Sequence, residues 1–135
     1  MSTTTGMKPA IGRAVEAFND HDFDGFVAEF ADGATFTDPV REDLDRAETR
    51  AYMSELAQAF PDVRVETERV IPSDTGTAIE FTFRGTHEGE FDGMPPTGET
   101  VDETFVSVIT VSDEGITSWT DYWDRMSLVE QLGHD

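Results

Sequence analysis

Apolar residues recur along the chain with two different periods, and the change from one to the other divides it. From Pro9 onward, Ile11, Ala14, Val15 and Phe18 fall at i, i+3, i+4 and i+7, which is one face of a helix. Asn19-Asp20-His21-Asp22 interrupts that face and supplies capping residues for the next element. Phe23, Phe26, Val27 and Phe30 then make the stripe of a second, short helix. Asp32-Gly33 reads as a turn, and Ala34 to Thr37 as a brief strand stopped at Pro39. An acidic loop covers 40–46. Tyr52, Met53, Leu56 and Phe60 mark the inner face of a third helix from about Ala47 to Ala59, which Pro61 ends.

Beyond Pro61 the period is two. Val63, Val65 and Thr67 alternate with charged residues as far as Pro72, and Ser73-Asp74-Thr75-Gly76 is a hairpin turn. Ile79, Phe81 and Phe83 define the next strand, Thr77 to about Glu88. After the loop Gly89 to Gly98, strands are predicted over Glu99–Val111 and Ile116–Trp123, joined by the turn Asp113-Glu114-Gly115. A helical turn or two, Ser127 to Leu132, closes the chain. Three helices followed by an antiparallel meander is an α+β pattern. The helices must cover one face of the sheet, because their apolar stripes have nowhere else to go. A curved sheet around helices leaves an apolar hollow, the default ligand site. One domain is expected over 8–135, after a polar, disordered N-terminus at 1–7.

Charge changes the picture more than size does. The 135 residues carry 29 Asp plus Glu against 9 Lys plus Arg, a formal charge of −20. Such a surface repels nucleic acid and anionic lipid, so neither is expected as a partner. Lys8 is the one lysine, and the acids are spread along the chain. An acidic interaction surface and adaptation to salt both fit, and the pattern favours the second, an acidic, halophilic protein whose self-repulsion concentrated salt would screen. Ten Phe at regular periods argue against disorder. The absence of cysteine excludes disulfides and thiolate metal sites. No run approaches the length of a bilayer span, and the N-terminus lacks an apolar signal core, so a cytoplasmic protein is expected.

The usual phosphate-loop, zinc and serine-nucleophile motifs are absent. His21, His87 and His134 are too scattered to share a metal site by spacing. The informative segment is Trp119-Thr120-Asp121-Tyr122-Trp123-Asp124. Strand alternation puts Trp119, Asp121 and Trp123 on one side, with Tyr122 and Asp124 on the other. If the first side faces the hollow, a carboxyl group sits between two indoles, and desolvation raises its pKa towards neutrality, which suits a general acid/base. If it faces solvent or a subunit partner, the tryptophans are packing residues. Periodicity leaves both arrangements open. Asp124 has the parity of a cap for the closing helix.

From Phe81 to Gly133 the chain resembles the SnoaL-like polyketide cyclases. The matching blocks are Gly85-Thr86-His87-Glu88-Gly89, Gly93-Met94-Pro95-Pro96-Thr97, Asp113 to Asp124, and Gln131-Leu132-Gly133. The resemblance implies a cone-shaped nuclear-transport-factor-2-like fold, three N-terminal helices on a curved, mainly antiparallel sheet. It also implies cofactor-free, metal-free intramolecular aldol-type chemistry on a small hydrophobic carbonyl compound, with Asp121 as the general acid/base. Trp119, Trp123 and Phe105 would shape the pocket, with Tyr52 and Phe18 closing it from the helices. His87 would line the mouth and orient a carbonyl, unless it is a satisfied strand-end histidine. Ser107 stands where some members carry a histidine, which alters an auxiliary hydrogen bond near the substrate.

Rival chemistries of the wider fold fit less well. Ketosteroid isomerases use an Asp-Pro aspartate, as in Asp38-Pro39, but need a tyrosine and an acid where this chain has Ala14 and Ser107. Epoxide hydrolases need an Arg-x-Asp pair where Arg84-Gly85-Thr86 stands. Asp38 is therefore read as structural, bonding turn amides. A non-catalytic binding or dimeric assembly domain of the same fold is the alternative reading. Thr104, Val106, Val108 and Thr110 share the outer side of their strand, which predicts a homodimer across that face.

Overall fold

The computed structural model describes residues 6–133. Residues 1–5, most of the stretch expected to be disordered, and His134 lie outside the described residues. Met7, from the same stretch, packs against the core.

Each helix begins where local chemistry allows. α1 (Pro9–Asn19) places proline in its first turn and buries Ile11, Ala14 and Phe18. α2 (Phe23–Ala28) is capped by Asp22, whose side chain accepts from the Gly25 amide at 2.9 Å. β1 spans Phe30–Thr37. α3 (Arg46–Ala59) starts on a reciprocal capping box between Asp45 and Glu48. The sheet continues with β2 (Arg64–Pro72), β3 (Gly76–Thr86), β4 (Thr100–Ser112) and β5 (Gly115–Tyr122). α4 (Arg125–Gln131) is capped by Asp124, as its parity predicts.

The five strands lie in the order β1-β5-β4-β3-β2. β2 to β5 form the expected antiparallel meander, and β1 adds to its edge, parallel to β5. The predicted turn at Asp32-Gly33 is instead an irregularity inside β1. Gly33 adopts φ 79°, and the register against β5 shifts between Phe30 and Thr35. Phe30 thus opens a strand rather than closing α2.

A second shift, between Thr67 and Arg69, reverses the parity of β2. Val65 before it and Val70 after it both face inward, while Ile71 is left exposed. The inner face of the sheet carries Ile79, Phe81, Val101, Ile109 and Trp119, all buried against the helices. No helix among the described residues is long and apolar enough to cross a membrane.

Candidate functional site

Between the helices and the inner face of the sheet lies an apolar cavity of about 100 Å³, partly open to solvent. Eleven of its twenty described lining residues are aromatic, so rings dominate the wall. Phe18 comes from α1, Tyr52 from α3, Phe105 from β4, and Trp119 and Trp123 from β5 and its end. Phe91 of the 89–98 loop and Leu128 of α4 complete the wall. Those two pieces are joined by an exposed ion pair, Arg125 Nη2 to Asp92 Oδ2 at 2.6 Å. Gln131 ties α4 to β4 by accepting from the Asp102 amide at 2.8 Å and donating to Glu103 at 3.0 Å.

Three carboxyl groups border the cavity: Asp38, Glu103 and Asp121. Asp121 pairs with Ser107 across β4 and β5. The residue is half-buried because its side chain borders the void, yet protein surrounds the carboxyl group. Desolvation pushes its pKa up to about 7, against the lowering effect of its two donors, and the charge of Asp38 adds to the rise. Both donors converge on one oxygen: the Trp119 indole N–H reaches Oδ1 at 2.8 Å, and the Ser107 hydroxyl donates to the same atom. No described group donates to Oδ2. One oxygen is anchored and the other has no donor among the described residues.

Asp38 is both structural and part of the cavity. Its Oδ1 accepts from the amides of Val40 and Arg41, at 2.8 and 2.9 Å, the turn role expected of it. Its Oδ2 accepts from the Tyr52 hydroxyl at 2.7 Å. Burial, then the neighbouring Asp38, push the Tyr52 hydroxyl well above the ordinary phenol range. The signal for Asp38 was present in the sequence: continuing the alternation of Ala34 and Phe36 by one step puts it on their face.

Two expected site residues stand elsewhere. His87 does not line the cavity. It is wholly buried behind Phe60, ring centroids 5.3 Å apart, with Nδ1 3.1 Å from the Thr97 hydroxyl. Its loop folds inward beside the C-terminal end of α3, where the amides of Glu88 and Gly89 bond the Ala59 carbonyl, so the ring packs rather than opens to a ligand. Ser107 is likewise wholly buried and touches the acid, not the void. His21 bonds the Val63 carbonyl at 2.7 Å in a turn. Among the described residues no three His, Asp or Glu side chains converge to hold a metal ion.

A sheet cupped around helices and an apolar chamber defines a nuclear-transport-factor-2-like α+β fold. A protein of that fold from Burkholderia pseudomallei superposes with a TM-score of 0.79 at 18% identity, each chain covered to 98%. The chain belongs to the SnoaL-like polyketide cyclase family, whose model matches residues 9–132. Similar solved structures include AclR of Streptomyces galilaeus, a candidate hydroxylase, at 25% identity and TM-score 0.81, covering 98% of each chain. IdmH of Streptomyces antibioticus, a candidate polyketide cyclase, is 26% identical with TM-score 0.79, over 92% of this chain and 96% of its own. No curated protein matches the chain.

Proposed function

We propose that the protein is a cofactor-free general acid/base enzyme acting on a small hydrophobic carbonyl compound, with Asp121 as the proton carrier. The observation that carries this reading is the anchoring of Asp121 through Oδ1 alone, in an aromatic chamber, with a pKa of about 7. In its ionised form Oδ2 removes a proton from the carbon next to the substrate carbonyl. The resulting enolate carbon attacks a second carbonyl of the same molecule, and Asp121 returns the proton to the new alkoxide. Among the described residues the chamber wall contains no Lys, Arg or His, and the Tyr52 hydroxyl is committed to Asp38. Charge in the transition state must therefore be delocalised by the substrate itself, which favours conjugated ketones and esters.

Deuterium exchange tests this without knowledge of the natural substrate. Small conjugated ketones and esters incubated in heavy water should exchange their α-hydrogens faster with enzyme, and the rate should climb as pH passes 7. Asp121→Asn should abolish the exchange while ligand binding persists. Exchange unaffected by that substitution would remove Asp121 from the mechanism.

We also propose a homodimer across the outer face of the sheet. Val106 and Val108 are exposed there, flanked by Ile71 and Tyr122, and neighbouring strands bring Ile71, Ala78, Val108 and Thr120 into one row. At −20 per chain, self-repulsion opposes pairing until salt screens it. Gel filtration should show a dimer in molar salt and a monomer for Val108→Arg. A monomer for the unmodified chain in molar salt would end this reading.

A further inference from the structure

The charge of the chamber selects among ligands more sharply than its shape does. Among the described residues its wall offers aromatic rings, three carboxyl groups and no cationic side chain. An anion entering would meet carboxylates in a medium too dry to screen them. A neutral ligand gains one hydrogen bond at Asp121. A cation gains the ring quadrupoles as well as a carboxylate. It also relieves the cost of ionising a buried acid, since the charge would no longer stand alone.

We propose that the chamber also binds a small lipophilic ammonium ion, a protonated tertiary amine, with its N–H on Asp121 Oδ2 and its alkyl groups against the surrounding rings. This rests on the chamber being a ligand site and not on turnover. Size agrees with it: about 100 Å³ is less than the roughly 150 Å³ that holds one benzene ring. A compact ammonium fits where a fused-ring ligand would have to displace a wall. The approach is suited as well. A surface cleft shares Tyr52 and Phe91 with the chamber and carries Glu55, Glu90 and Asp92, the last of them paired with Arg125 from outside the cleft. Its one cation, Arg41, sits over the Tyr52 ring and 3.7 Å from Glu55. The titratable groups facing Asp121 are Asp38 after β1, Tyr52 of α3 and Glu103 of β4. From α1, α2, β2, β3 and α4 the chamber receives apolar side chains only.

The test is an NMR titration at pH 8 in 1 M sodium chloride, which screens the exposed charge. Four compact probes are compared: trimethylammonium, tetramethylammonium, tert-butanol and pivalate. Trimethylammonium should bind at least tenfold more tightly than tert-butanol, with tetramethylammonium between them and pivalate not binding. Asp121→Asn, or titration of the unmodified protein at pH 5, should remove the advantage of trimethylammonium and leave tert-butanol unchanged. Equal affinities for trimethylammonium and tert-butanol, or indifference to both perturbations, would overturn the inference while the chamber remained a ligand site. If no probe shifts chamber resonances, this inference and the proposed ligand chamber fall together.

Discussion

Replacing Asp121 with asparagine will leave stability almost unchanged near pH 4 and raise it near pH 8, by up to about 4 kcal/mol. The carboxyl group is held at a pKa of about 7 in the folded chain, against about 3.9 when the chain is unfolded. Below pH 4 both states are protonated and the site costs nothing. Between 4 and 7 the unfolded chain ionises freely while the folded chain keeps its proton. Stability therefore falls with rising pH, and above 7 the loss is constant. Asparagine still accepts from Ser107 and Trp119 through its oxygen, so it removes the penalty and keeps the anchor. Urea midpoints for both proteins at pH 4.5 and pH 8, in molar salt, measure the difference. The same increment at both pH values would show that desolvation of this acid is not its source.

Phe60→Ala should be the most damaging single truncation of the chamber wall, costing about 3–5 kcal/mol. Phe60 ends α3 and is 1% exposed. It packs between Phe83, His87 and Phe91, with ring centroids 5.3 to 5.8 Å away. Gly85 makes room for its ring: a Cβ there would stand 3.2 and 3.3 Å from the Phe60 Cδ1 and Cγ, which alanine lacks, besides 3.0 Å from the Cβ that alanine keeps. Gly85→Ala should thus destabilise the unmodified chain and be better tolerated alongside Phe60→Ala. Denaturation of the two single variants and the double variant measures that coupling. The enlarged chamber should also bind bicyclic ketones more tightly than the intact protein does. Additive losses in the double variant would show that the two positions do not press on each other.

How much of this was legible depended on the range of the interaction. The stripe Ile11, Ala14, Phe18 and the alternation through Phe105, Ser107 and Ile109 were readable because local period alone sets those faces. The parallel pairing of β1 with β5 was not. Its partners, Phe36 and Trp119, are far apart in sequence, and no turn between them records the pairing. The shift at Thr67–Arg69 was hidden for a related reason: a bulge adds one residue without a composition change, and only the partner strand reveals it. Within the site, the parity of Trp119 and Asp121 could be read, but the indole N–H bonding the carboxylate could not. His87 misleads because a histidine inside a matched block reads as chemistry, whereas its burial depends on Phe60, 27 positions earlier. For Asp38 the sequence records the turn and the face shared with Ala34 and Phe36, but not the tyrosine that α3 brings to its second oxygen.

The closure formed by α4 and the 89–98 loop is clasped at the surface by a guanidinium and a carboxylate, the arrangement that dissolved salt weakens most readily. Beneath that latch, Phe91 and Leu128 press on the chamber through contacts that salt does not screen. In brine the latch loosens while the greasy seal persists.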